Sequence, residues 1–413
     1  MMNTYELHIG KVKAGPMSRV DELQETLRAE HLDGWLFFDF RHSNAVAIRV
    51  LGLSPHAFFS RRWMYYVPSS GTPTKLVSSV ESHVLSSLPG DTLIYRSWQE
   101  YRQMLAQMLA GAQQVAMEYV PDNAIPYVSL VDAGTVELVR GVGPAVVSSA
   151  DFVQRFEAVL TPEQMESHRV AGRALMESLD RLLPWLREQI ISEAVVTELS
   201  VQQEFATLMR DAGLAVPPED KPLVAVNGNA ANPHYSPTDA RHSLLRKGDL
   251  LLLDFSAPLV GDDTIFADYT WMVYLGEQVP DRVAALFTIL KDARDTGIEL
   301  LKQRFEAGQR IAGYEVDDAV RGVIAAAGYG NAFLHRTGHN IGTRVHGNGA
   351  HLDNLETHDT RPLLVNTCTS MEPGIYLPDE GLGLRTEVDI LLLPGGIEVT
   401  GEPRQNEVIA LLA

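Results

Sequence analysis

The sequence predicts a two-domain α/β protein with α+β character in its second part. Three observations indicate that class: a length of 413 residues, a first third in which short extended and helical signals alternate, and a change of texture near residue 150. Beyond that point long amphipathic stretches are interleaved with strand-like runs, so residues 1–154 are expected to form one α/β domain. Residues 155–413 are expected to form a second domain, a mixed sheet flanked by helices.

In the first domain, Ser18 with Asp21 three residues on marks a helix start. Val20, Leu23 and Leu27 share a face of that helix, and Asp33-Gly34 closes it. Trp35 to Phe40 reads as a buried strand. Further β-rich runs are Trp63 to Val67, Lys75 to Val80, Thr92 to Tyr95 and Val115 to Val120, with a helix from Trp98 to Leu109. No strand is followed by GxGxxG or GxxxxGK, so no phosphate loop is expected.

In the second domain, Thr161-Pro162-Glu163-Gln164 combines a capping threonine, a first-turn proline and a glutamine that completes the cap. Leu175, Leu179, Leu182, Leu183 and Leu186 extend that helix, and Pro184 is expected to kink or end it. A second helix is expected from after Ser192 to Gly213. Amphipathic stretches from Arg282 to Phe305 and Val316 to Ala327 end near Gly308 and Gly328. Strands are expected at Leu250 to Ser256, Thr270 to Leu275, Thr367 to Met371, Ile375 to Leu377 and Leu384 to Leu393, the last forming a hairpin on Pro394-Gly395-Gly396.

The chain carries 34 basic against 53 acidic residues, a net charge of −19 that opposes binding to nucleic acid or an anionic bilayer. Cys368 is its one cysteine, which excludes an intrachain disulfide and suits a reducing cytoplasm. The first fifteen residues hold no apolar core of signal length, and no run reaches the roughly 18 apolar residues of a membrane span. A soluble cytoplasmic chain is expected.

Ionisable residues then stand where a fold wants apolar ones. Asp254 ends a run of four leucines, Asp268 stands at the mouth of the next strand, and Glu372 precedes a Pro-Gly turn. Arg385, Glu387 and Asp389 alternate, so they are expected on one face of one strand. His339 adds an imidazole. Singly, each acid reads as a surface carboxylate. As a set, four carboxylates match two divalent cations with a water ionised between them, whereas without metal they would repel one another. Oxygen-rich ligation with one nitrogen suits manganese, then cobalt or a catalytic zinc.

The order Asp254, Asp268, His339, Glu372, Glu387, with GH-x-IG-x-x-VH, EPGIY and R-x-E around the last three, closely resembles the pita-bread metallopeptidases. The first 150 residues resemble the N-terminal domain of the creatinase, aminopeptidase P and prolidase branch, and within it the chain looks most like a bacterial Xaa-Pro dipeptidase. The resemblance implies two divalent ions per subunit, a homodimer and a small peptide substrate with proline second. Asp254 would chelate one ion, Asp268 and Glu387 would bridge both, and His339 with Glu372 would complete the second. The bridging hydroxide would attack the scissile carbonyl, with Glu372 as proton shuttle.

His234, about twenty residues before the first ligand, and His346, seven after His339, are the substrate histidines that the resemblance implies. His335 lies behind the ligands, with core packing as its equal alternative. His351, His358 and His56 are read as solvent-exposed. Arg385 would orient Glu387 from behind, and Tyr376 either lines the pocket or is a buried core ring. Two departures from the family pattern stand out. The gap between Asp254 and Asp268 is long, so Asp262 or Asp263 competes as a ligand. Trp271 also stands where relatives often carry arginine.

A dipeptidase needs a cation for the substrate carboxylate. Arg41 is the first choice and Arg361 the second; Arg61 and Arg62 read rather as solvated or stacked on a ring. Without such a clamp, aminopeptidase P activity on longer peptides is the better reading. A metal-free peptide-binding module and hydrolysis of a phosphoryl substrate are the remoter alternatives. Phe58-Phe59 and Trp63-Met64-Tyr65-Tyr66 read either as a dimer patch or as a core strand.

Overall fold

A computed structural model describes residues 19–217 and 221–413. The helix cap at Ser18 and the reading of the first fifteen residues lie outside them. The chain divides into two compact units, one running to Asn123 and taking in Val128–Ser149, the other formed by Ala124–Tyr127 and Ala150–Ala413.

The first unit contains α1 (Arg19–Ala29), β1 (Gly34–Asp39), α2 (Ala45–Val50), β2 (Trp63–Pro68), β3 (Thr74–Ser78) and β4 (Asp91–Tyr95). It continues with α3 (Trp98–Met108), β5 (Gln114–Met117), α4 (Ala133–Arg140) and β6 (Ala145–Ser148). Its mixed sheet has the order β4-β3-β2-β1-β5-β6. Strand β1 shows no apolar-polar alternation because it is buried at every position. Trp63, Met64, Tyr65 and Tyr66 are core residues of β2 and Phe59 is buried as well, so of the apolar run considered as a dimer patch only Phe58 remains strongly exposed. Arg62 lies over the Tyr101 ring, 4.5 Å from its centroid.

Beside β5, fully buried Glu118 accepts from Trp35 Nε1 at 2.6 Å and Asn44 Nδ2 at 2.7 Å.

The second unit opens with α5 (Ala150–Glu157), α6 (Pro162–Ile191), α7 (Glu198–Asp211), β7 (Leu223–Val226), β8 (Leu250–Ala257), β9 (Ala267–Tyr274), α8 (Asp281–Glu306) and α9 (Gly313–Ala326). It closes with β10 (Asn340–Ile341), β11 (Thr367–Met371), β12 (Gly374–Leu377), β13 (Leu382–Arg385), β14 (Val388–Leu393), β15 (Gly396–Thr400) and β16 (Ile409–Ala410). The sheets run β16-β9-β8-β7 and β10-β11-β14-β15, with a ribbon of β12 and β13.

Helix α6 starts at the Thr161–Gln164 capping box and continues through Pro184, so of the two expected outcomes, a kink or an end, the helix does not end there. Pro184 and Asp180 are exposed, so the carbonyl that loses its donor is on the solvent side while Leu182 and Leu186 hold the helix to the core. Ser192 closes α6 by donating to the carbonyls of Glu188 and Gln189, and Thr197 is the cap that starts α7. The expected single strand from Leu384 to Leu393 is broken: Arg385 pairs with Gly374 in the ribbon, whereas Val388 pairs with Met371 in the four-stranded sheet.

Strand β8 explains the four leucines. Leu250 and Leu252 pack with Leu286 and Leu290 of α8, while Leu251 and Leu253 pack with Leu179 and Leu182 of α6 and Phe205 of α7. Both faces of the strand are covered, so nothing along it selects polar residues until Asp254. Among the described residues no helix is long and apolar enough to cross a membrane.

Burial raises the Glu118 carboxyl from 4.5 to about 7, in spite of the donors Asn44, Trp35 and Ser149 around it. A folded value above the unfolded one means that its contribution to stability is complete below about pH 4.5 and is lost as pH rises through about 7, a span on the order of 3 kcal/mol. Glu118→Gln cannot ionise and is expected to flatten that loss. Denaturant unfolding near pH 5 and near pH 8 measures it, and a wild-type profile parallel to that of the variant would contradict the assignment.

Candidate metal centre

Register brings the first two acids together. Asp254 of β8 lies opposite Thr270 of β9, and Ser256 lies opposite Asp268. Asp254 and Asp268 are therefore diagonal neighbours on one face of an antiparallel pair, about 7 Å apart at their Cα atoms or a little more. Asp262 and Asp263, the competing candidates, are exposed in the turn between the strands. Glu387 joins through a bridge between its backbone and Thr270, and Thr270 Oγ1 donates to Glu387 Oε2 at 2.7 Å.

His339 and Glu372 come from adjacent chain segments. Ser370 N donates to the His339 carbonyl at 2.9 Å, and Glu372 N to that of Thr337 at 2.7 Å. The approach is close enough that a Cβ on Gly338 would lie 2.1 Å from the Ser370 oxygen, so glycine is required there. His339 Nδ1 faces the Asn340 carbonyl at 3.3 Å. Nε2 is left toward the acids, 3.4 Å from Glu372 Oε1 and 3.6 Å from Asp268 Oδ2. One ligand atom from each of Asp268, His339 and Glu387 lies within 4.8 Å of the others.

Two observations show that these residues fit a bound cation. Asp268 Oδ1 and Glu387 Oε1 are buried with no hydrogen-bond donor among the described residues, an arrangement that costs several kcal/mol unless something positive faces them. Desolvation, and then the charges of the neighbouring acids, push Asp268 and Glu387 well above the usual carboxylate range. Burial depresses His339 far below its ordinary value, which keeps its ring neutral and free to donate a lone pair.

Arg385 ties the acids to the wall behind them. Its guanidinium makes a very short contact to Asp254 and donates to Thr270 Oγ1 at 3.1 Å and to the Tyr376 hydroxyl at 2.9 Å. Tyr376 OH lies 2.7 Å from His335 Nε2, and His335 Nδ1 lies 2.8 Å from the Arg336 carbonyl. Burial lowers the His335 pKa to about 3, so the ring is neutral, accepts a hydrogen bond from the Tyr376 hydroxyl on Nε2 and donates from Nδ1. Arg385 and Glu387 do not share a strand face as expected; both reach Thr270 from opposite sides of the strand break.

The remaining expected residues divide. His346 packs edge-on to His339, with ring centroids 4.4 Å apart. Desolvation, then the nearby charges of Arg336 and His234, lower its pKa, so His234 belongs to the same surroundings. Arg361 is fully buried and donates to Asp359 and to the carbonyls of Asn348 and Gly349, leaving nothing for a substrate. Arg41 belongs to the first unit, with its guanidinium 5.0 Å from the Phe40 ring centroid. His351, read as exposed, is buried instead: Nδ1 accepts from Asn340 N at 3.0 Å and the ring packs on Tyr127. His358 and His56 are exposed, and Trp271 is half-buried on β9.

Three further buried acids support these segments: Asp389, placed by the sequence only on the strand face of Arg385 and Glu387, and Asp317 and Glu198, which the sequence did not single out. Asp389 accepts from Asp268 N at 2.8 Å, fixing the backbone of a ligand. Asp317 accepts from Thr337 N at 3.0 Å, Asn354 N at 2.9 Å and Arg321, and so anchors the segment that leads to His339. Glu198 accepts from Val226 N, Asn229, Tyr235 and Ser243 N, which holds the loop carrying His234. The signal for Glu198 and Asp317 was an acid on a helix face otherwise apolar.

Manganese added in excess is expected to raise the melting temperature of wild type, by about 2.7 kcal/mol of stability at a hundred times Kd, and to leave Asp268→Asn and Glu387→Gln nearly unmoved. Thermal denaturation with and without metal measures it. An equal rise in both variants would remove these residues from the ligand set.

Residues 166–393, more than half of the chain, match Metallopeptidase family M24. The Xaa-Pro dipeptidase of Lactobacillus helveticus is 27% identical over 55% of this chain and 56% of that enzyme. "Probable dipeptidase PepE" of Mycobacterium bovis is 25% identical over 85% and 86%. The chain spans about half to two thirds of the length of most curated relatives it matches. The solved structure of dipeptidase PepE from Mycobacterium ulcerans superposes with a TM-score of 0.67 over 95% of this chain and 97% of that one, at 22% identity, which establishes the pita-bread fold. With acids and an imidazole converging on β8, β9 and β11 as described, the chain belongs to metallopeptidase family M24.

Proposed function

We propose that the protein is a Xaa-Pro dipeptidase that splits the bond before proline in dipeptides at a dinuclear metal centre. The observation that carries this reading is the convergence of Asp254, Asp268, His339, Glu372 and Glu387 around buried oxygens that lack donors. Asp254 would hold one ion, His339 and Glu372 the other, and Asp268 and Glu387 both. Two divalent ions, manganese before cobalt or zinc, would supply the activation of water and the polarisation of the scissile carbonyl.

The chain's own residues do the rest. Glu372 is the proton carrier: desolvation, followed by the Asp254 charge and against the pull of Arg385 and Arg336, raises it to about 7 before any cation is bound, and a divalent charge beside it draws the value back down. It takes the proton of the attacking water and returns it to the proline nitrogen, which leaves as a secondary amine. His346 and His234 would donate to a substrate carbonyl, a role that the family resemblance supports. Arg385 keeps Asp254 and, through Thr270, Glu387 in place while Tyr376 and His335 hold Arg385. A homodimer in a reducing cytoplasm completes the proposal, supported by the family resemblance and the lone buried cysteine.

Ala-Pro and Ala-Pro-Ala, assayed in manganese-supplemented buffer, test the reading. Preference for the dipeptide is expected, and strong preference for the tripeptide would replace it with aminopeptidase P activity. Glu372→Gln is expected to keep the wild-type circular dichroism spectrum and lose about 100- to 10,000-fold in kcat; retained turnover would remove Glu372 as the proton carrier.

A further inference from the structure

The geometry points to Arg336, held by Tyr127 beside His351, as the cation that receives the free carboxylate of the substrate's proline. The inference rests on the dipeptidase reading above and supplies the clamp for which Arg361 is unavailable. Arg336 lies three residues before His339 on the segment anchored by Asp317, so its backbone is fixed to the metal centre by the same hydrogen bonds that place the ligand. Its Nη1 donates to the Tyr127 hydroxyl at 2.8 Å and its guanidinium lies 5.9 Å from that ring's centroid. Among the described residues, no carboxylate forms an ion pair with the guanidinium, although the chain carries 53 acids and the buried arginines Arg294, Arg361 and Arg385 each have one.

A second donor lies beside it unmatched. His351 Nδ1 accepts from the Asn340 backbone, so its proton sits on Nε2, and that buried nitrogen has no acceptor among the described residues. Tyr127 connects the two: its hydroxyl takes the Arg336 proton and its ring packs 4.5 Å from that of His351. His351 in turn accepts from the backbone of Asn340, the neighbour of His339, so the chain of contacts from Arg336 through Tyr127 ends beside that histidine. A dipeptide zwitterion brings one amine and one carboxylate. Asp254, the most open of the acids, suits the amine, and Arg336 suits the carboxylate, which can accept two parallel bonds from a guanidinium. A chain that continues past proline has no charge to offer there.

Ala-Pro and Ala-Pro amide separate this role from a structural one, because they differ only in the group that Arg336 would hold. Wild type is expected to favour the acid by about 10- to 100-fold in kcat/KM, mostly through KM. Arg336→Met is expected to bring the acid-to-amide ratio close to one, with Arg336→Lys restoring part of it. Calorimetric binding of proline and prolinamide to the manganese-loaded protein gives a readout apart from turnover, with the same loss of discrimination expected in Arg336→Met. An Arg336→Met variant that keeps the wild-type ratio overturns the inference. A wild type that cleaves acid and amide equally also overturns it while Xaa-Pro hydrolysis stands; one that cleaves neither yet cleaves Ala-Pro-Ala overturns both. Should Arg336→Met not fold, equal affinity of wild type for proline and prolinamide overturns the inference, and a weakened preference in Tyr127→Phe supports it.

Discussion

Carboxylates removed from water repel one another and lose hydration, and each unbalanced charge costs several kcal/mol. Asp254, Asp268, Glu372 and Glu387 are drawn together under that penalty, and the guanidinium that touches them, Arg385, offsets one of the four charges. His339 adds none, because burial keeps its ring neutral. The sheet nevertheless holds these groups in contact, with two oxygens turned toward no donor. Bound protons or cations offset charge gathered in this way, and the remaining features of the second unit serve to keep the groups from moving apart.

That rigidity comes from acids of another kind. Asp317 and Glu198 are buried and carry the same formal charge, yet each is surrounded by backbone and side-chain donors, while Asp389 accepts from Asp268 N and keeps its other oxygen without a donor among the described residues. They work as fasteners: Asp389 on the strand of Asp268, Asp317 on the segment before His339, Glu198 on the loop of His234. Asp317 and Glu198, saturated by donors, contrast with Asp268 and Glu387, each of which keeps a buried oxygen without one among the described residues.

Membership of family M24 supports the proposal of peptide hydrolysis at a metal centre; in that proposal the choice between a dipeptide and a longer chain depends on charges farther out. Arg361 is spent on its own loop, and Arg336, bound to the Tyr127 hydroxyl, has no acid paired with its guanidinium among the described residues. Recognition in this reading comes from a group whose neighbours satisfy its shape and leave its charge unanswered.

Much of this was legible in the sequence. The apolar run ending in Asp254, the spacing to Asp268, the glycine-histidine segment and the Glu-Pro-Gly turn carried the residues that the fold brings together, and the Thr161 cap and the long amphipathic helices carried the outline of the second unit, because local chemistry dictates caps, periodicity and turns. The sequence could not determine that the chain changes sheets between Arg385 and Val388, that Pro184 sits within a helix, that His351 is buried, or which arginine is already paired. Each of these depends on partners distant along the chain: strand pairing is chosen by the sheet as a whole, a helix survives a proline when its apolar face is held, and a charge is free or spent according to what folds against it.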